Sequence, residues 1–125
     1  MADALIPDDL RDFILKYFDS IAQLEALLLL RENPSEKWTA EAIAKRLYIE
    51  TRQAAAILPR LCEDGLLGTK DEVYYFECKD AGKKSMIDKL AGIYARHIVP
   101  VTNIIHSKPP RIQEFADAFR IKKDR

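Results

Sequence analysis

The chain reads as a mainly α protein with one small β-hairpin, and three observations predict this. Apolar residues recur at helical offsets through most of its 125 residues. Between residues 66 and 77 the pattern changes. Leu66-Leu67-Gly68-Thr69 and Val73-Tyr74-Tyr75-Phe76-Glu77 form two short strand-like runs joined by polar Lys70-Asp71-Glu72, as in a hairpin. Beyond it, Ile87, Leu90, Ala91, Tyr94, Ile98, Val101 and Ile105 fall at offsets 0, 3, 4, 7, 11, 14 and 18, one continuous helical stripe.

The elements follow in order. Residues 7–18 open with Pro7 and the acidic pair Asp8 and Asp9, suited to a helix N-terminus, and place Leu10, Phe13, Ile14 and Tyr17 on one face. Ser20-Ile-Ala-Gln23 has the form of a capping box and predicts a second helix carrying Ile21, Leu24, Leu27 and Leu28, ending before Pro34. Thr39 is a good N-cap for a third, with Glu41 in its first turn, Trp38 and Ile43 placed for a hydrophobic staple, and Ile43 and Leu47 on its buried edge. After a short break at Tyr48-Ile49-Glu50, Thr51 is the expected cap of a fourth helix. Ala54, Ala55, Ile57, Leu58 and Leu61 supply its inner face and Gly65 its left-handed stop. Pro59 inside that helix predicts a kink or an early break.

Asp80 caps the long stripe, which as one helix to His106 would span about 40 Å, with a kink expected at Pro100. After Lys108-Pro109-Pro110, the residues Ile112, Phe115, Ala116 and Phe119 predict a short amphipathic helix in a basic tail ending at Arg125. The organisation expected is an N-terminal helix (1–19), a central domain (20–78) and C-terminal helices for a second copy or a partner (79–125).

Composition narrows the function. The chain has 48% hydrophobic and 32% charged residues and no net charge, a globular balance that argues mildly against strong nucleic-acid binding. The balance is uneven: residues 1–64 carry 8 Lys and Arg against 12 Asp and Glu, and residues 65–125 carry 12 against 8. No apolar run is long enough for an integral membrane segment, and the acidic start predicts no secretory leader. Cys62 and Cys78 lack metal-ligand spacing and read as reduced thiols of a cytoplasmic protein. His97 and His106, nine residues apart, do not share a helix face, and they read as structural or solvated rather than as a metal site. No nucleophile with its base, phosphate loop or paired ligand set is present, so neither an enzyme nor a cofactor is expected.

The segment from Leu24 to Phe76 resembles the winged helix-turn-helix superfamily of bacterial and archaeal transcriptional regulators. The resemblance rests on Leu27-Leu28-Leu29, Thr39-Ala-Glu-Ala-Ile-Ala-Lys-Arg-Leu47, Ile49, Leu58, Leu61 and Glu63-Asp64-Gly65-Leu66-Leu67, a little under half of the chain. It implies a regulator that binds double-stranded DNA, often as a homodimer held by helices outside the winged domain.

On that footing the helix from Thr51 would enter the major groove. Arg52 and Gln53 would be the base readers, and Lys45, Arg46, Arg60 and the wing residue Lys70 would be the phosphate contacts. The stripe residues Ile87, Leu90, Tyr94, Ile98, Val101 and Ile105 are the expected dimer interface, with packing on Leu10, Phe13, Ile14 and Tyr17 of the same chain as the alternative. A second functional reading is a winged-helix protein-interaction module without DNA binding. It draws on the neutral charge, on Glu50 directly before Thr51, and on Asp71 and Glu72 offsetting Lys70 at the wing tip. The basic tail is a candidate docking segment for the acidic N-terminal helix or for another protein and, as a weaker option, for an anionic membrane surface.

Overall fold

A computed structural model of the chain describes residues 6–108. The described residues form six helices and one two-stranded antiparallel sheet. The predicted tail helix around Ile112, Phe115, Ala116 and Phe119 lies outside them.

Helix α1 (Asp8–Tyr17) starts behind Pro7 with Asp8 and Asp9 in its first turn and buries Leu10, Phe13 and Ile14. Helix α2 (Ile21–Glu32) is capped by Ser20, whose Oγ accepts from the Gln23 backbone N–H at 3.2 Å. The second arm of the expected box lands one residue early. Gln23 Oε1 accepts from the N–H of Asp19 at 2.8 Å, and its amide donates to the Tyr17 carbonyl at 3.1 Å. Gln23 is thereby buried without loss and staples the α1–α2 link. Leu24, Ala26, Leu27 and Leu30 are buried and Leu28 and Leu29 half-buried, so α2 is apolar on nearly every side and sits centrally. It packs on α3 (Ala40–Leu47), α4 (Thr51–Glu63) and β2 (Val73–Phe76).

Thr39 caps α3 as predicted, its Oγ1 accepting from Ala42 N–H at 3.1 Å. Tyr48 ends that helix in the left-handed region, φ 60° and ψ 42°. The fourth helix departs from expectation at its start. Glu50, not Thr51, occupies the N-cap position, because the Glu50 carbonyl accepts the first intrahelical bond, from Ala54, and no side chain caps this end. The break anticipated at Pro59 does not occur, and α4 runs through to Glu63. Proline deprives the Ala55 carbonyl of its donor, but Ala55 is exposed to solvent, while Leu58 and Leu61 anchor the helix on either side of the ring. Gly65, at φ 79°, closes α4. Its N–H reaches the Cys62 carbonyl and that of Leu66 reaches Leu61, both at 3.0 Å, the paired bonds of a Schellman stop.

Strands β1 (Leu67–Lys70) and β2 pair with Leu67 opposite Phe76 and Lys70 opposite Val73. Lys70 is therefore in the strand rather than the turn. The turn is the two residues Asp71 and Glu72, both left-handed at φ 54° and 65°, the conformation that matches strand twist in a tight hairpin. Gly68 is required here: a Cβ on it would fall 2.5 Å from Tyr75 Cε2. Trp38 exchanges two backbone hydrogen bonds with Tyr74, at 2.8 and 2.7 Å, so the segment before α3 forms an isolated bridge to β2.

The single long helix expected from Asp80 to His106 is two helices. Asp80 caps α5 (Ala81–Arg96) through a 2.9 Å bond from Lys83 N–H, and α6 (Ile98–His106) follows after a break at His97. Pro100 explains the break: its ring would collide with the Arg96 carbonyl and it has no N–H to offer it. The turn lets α5 and α6 pack on each other and on α1. As a result Ile87, Leu90 and Val101 are fully buried and Ile105 nearly so within one chain. These four stripe residues serve the chain's own core. Tyr94 is half-buried, its hydroxyl donating to Glu25 Oε2 at 3.0 Å, and Ile98 is 53% exposed. No helix among the described residues is long and apolar enough to cross a membrane.

Candidate functional site

The N-terminal half of α4 presents an open face beside the helical core. Ala54, Leu58 and Leu61 point inward, leaving Thr51, Arg52, Gln53, Ala55 and Ala56 exposed. Packing against α2 and α3 fixes the inner side, so the outer residues are held on a rigid element. Arg52 and Gln53 are thus available to a ligand. Arg52 leans on Glu50, Nη2 to Oε1 3.3 Å, with side chains 90% and 75% exposed. So open a pair contributes only a few tenths of a kcal/mol, so a stronger acceptor can displace Glu50.

The predicted cations do not act as one set. Lys45 is exposed on α3, and exposed Arg46 lies with its guanidinium 5.6 Å over the Trp38 ring. Lys70 is exposed at the end of β1, beside a cavity of about 420 Å³ lined by Lys37, Lys70, Asp71, Val73 and Tyr75. Arg60 is turned elsewhere. It sits two turns along α4, half-buried, 3.9 Å from Asp19 and 4.0 Å from Asp64. Here its partners are two carboxylates of the fold.

Around Arg60 a charge network ties the flanking helices to α4. Lys108 Nζ donates to Asp19 Oδ1 at 2.7 Å and to the Phe18 carbonyl at 3.3 Å. Lys83 Nζ donates to the Asp64 carbonyl at 2.8 Å and lies 5.3 Å over the Tyr17 ring. Burial lifts the Asp64 carboxyl above its usual range, and Lys83 offsets part of that.

The two thiols have no activating setting. Burial, then Glu63, pushes Cys62 up to about 11, and burial raises Cys78. Each is therefore a neutral thiol near pH 7. His97 lies in the α5–α6 break and His106 is exposed at the end of α6.

Sequence reasoning passed over one surface residue. Tyr48, treated as a turn position, is 94% exposed. The signal available was its type, since the position after α3 favours glycine or asparagine. No family model matches the chain, and neither a curated protein nor a solved structure does.

Proposed function

We propose that this chain is a winged helix-turn-helix DNA-binding regulator that reads the major groove of duplex DNA with the start of α4. The observation that carries the reading is the exposure of Arg52 and Gln53 at the tip of a helix whose opposite side is buried. The order of elements supports it: α2, the Trp38 bridge, α3, α4, then a hairpin in which β2 takes the bridge. Within this reading α4 is the recognition helix and the Asp71–Glu72 turn the wing tip.

Arg52 is matched to the O6 and N7 of guanine and Gln53 to the N6 and N7 of adenine. No side chain caps α4, so its first-turn N–H groups are open to a phosphate oxygen. Lys45, Arg46 and Lys70 would add phosphate contacts, and Arg60 would hold α4 in the fold. A cytoplasmic homodimer would complete the regulator, its contact built around exposed Ile98 and Val99 rather than around the buried part of the stripe.

A second reading, a winged-helix protein-interaction module, is favoured by the Glu50 carboxylate on Arg52 and by the Asp19 and Asp64 carboxylates beside Arg60. Fluorescence anisotropy with mixed-sequence duplex at low and physiological salt separates the two, because phosphate binding releases counterions. Micromolar binding that falls steeply with salt and weakens in Arg52→Ala supports the regulator. Folded protein without affinity at low salt transfers support to the interaction module.

A further inference from the structure

Tyr48 is a large side chain that the fold leaves exposed at a backbone position that disfavours it. Its ring is 94% exposed, while its backbone sits at φ 60°, ψ 42°, a region where a Cβ crowds the carbonyl and glycine is favoured. The fold needs only that backbone. Tyr48 N–H closes α3 on the Ala44 carbonyl, and the chain then turns through Ile49 into α4. Glycine or asparagine meets this need with less strain. An unburied tyrosine in a strained turn points to a contact outside the chain.

Its surroundings indicate the kind of contact. An aromatic anchor in a protein interface sits in a well-packed centre ringed by contacts that exclude water. Leu47 and Ile49 beside Tyr48 are half-buried, and the other large exposed apolar side chains among the described residues, Ile98 and Val99, belong to α6. The exposed charged residues nearby in the chain are Lys45, Arg46, Glu50 and Arg52, with Glu50 already paired to Arg52. A phenol within four residues along the chain of Lys45, Arg46 and Arg52 suits a phosphate, to which its hydroxyl can donate. We propose that Tyr48 is a DNA-binding residue that donates its hydroxyl to a backbone phosphate beside the groove entered by α4. This rests on the DNA-binding reading above and adds a neutral donor, outside the recognition helix, that fixes the register of the protein on the duplex.

The test compares wild type, Tyr48→Phe, Tyr48→Gly and Arg52→Ala in anisotropy titrations with several mixed-sequence duplexes across a salt series, with thermal melts of each. Tyr48→Phe, which removes only the hydroxyl, is expected to weaken binding about 5- to 30-fold. The factor should be the same for every duplex, since a phosphate carries no sequence information. The slope of log affinity against log salt should not change, because a phenol displaces no counterion. Tyr48→Gly is expected to lose at least as much affinity while melting roughly 2–6 °C higher. That combination separates lost contact from lost fold.

Wild-type affinity in both Tyr48 variants, with Arg52→Ala weakened, would remove Tyr48 from the interface and leave the DNA reading standing. Loss in the glycine variant but not in the phenylalanine variant would overturn the hydroxyl–phosphate bond. A glycine variant that melts below wild type would overturn the argument from strain. A folded wild type that binds no duplex at low salt would overturn the proposal and the DNA reading together.

Discussion

At the scale of single residues, Glu50 and Arg52 are the pair on which the proposed DNA reading turns. Glu50 stands at the uncapped start of α4, where a carboxylate favours the helix dipole, yet it also pairs with the Arg52 guanidinium, and in the proposed reading it would compete with a base for that group and repel phosphate. Glu50→Gln should keep the turn and release Arg52. Duplex affinity at low salt should rise about 2- to 10-fold, read by anisotropy, and an unchanged or weaker affinity would mean that the carboxylate is not competing with DNA. The caps Ser20, Thr39 and Asp80 were legible in the sequence because each depends on a side chain and an N–H three residues away. The cap of α4 was not, because it depends on how the chain leaves the left-handed Tyr48, and the type of residue 51 does not encode that. The surroundings of Arg60 were legible only in part. Asp64, four residues on at the end of the same helix, was within reach in the sequence, whereas Asp19 is brought to Arg60 only by packing.

Elements add constraints that single residues do not show. The hairpin depends on Gly68, where any Cβ meets the Tyr75 ring and comes within 2.9 Å of Glu77 Oε1. Gly68→Ala should destabilise the protein by about 1–3 kcal/mol through overpacking, visible as a lower urea midpoint for the fluorescence of Trp38, the one tryptophan in the chain. In α4, Pro59 is a residue the helix tolerates rather than uses, being exposed and leaving the Ala55 carbonyl without a helical donor. Pro59→Ala should restore that bond and raise stability by about 1–3 kcal/mol, and a loss of stability in the same urea experiment would show that the ring is part of the packing. The hairpin and the first four helices were legible because their periodicity and turn residues agree. The α5–α6 break was half legible. Pro100 marked a distortion, but the stripe repeats across it without a phase change, so the pattern alone could not tell a kinked rod from two helices folded against α1.

For the whole molecule, the core explains both its assembly and its response to pH. One apolar cluster runs from Leu10 and Ile14 of α1 through α2 to Ile87, Leu90 and Val101, so the flanking helices are part of the same folded unit as α3, α4 and the hairpin. Cys62, on the last turn of α4, packs against this cluster as a neutral thiol. Its folded value of about 11 lies above the ordinary 9.0, so between those values the folded chain holds a proton that the unfolded chain has released. Its contribution is fully present below about pH 9 and is lost as pH rises toward 11. Tyr94, pushed up to about 12 by burial and then by Glu25, extends the same trend to higher pH. Melting temperature should therefore hold near neutrality and fall progressively above pH 9, and the decline should be shallower in Cys62→Ala between pH 9 and 11. At pH 8 the thiolate fraction of Cys62 should be about 100-fold below that of an ordinary cysteine, so alkylation of the native chain at this site, located by peptide mass, should be slower by a similar factor than in urea. Rapid native labelling of Cys62 at pH 8 would mean that α4 opens at its C-terminal end. That would loosen the one element to which the Lys108–Asp19–Arg60 network joins the flanking helices, and α4 could then no longer present Arg52 and Gln53 on a fixed surface.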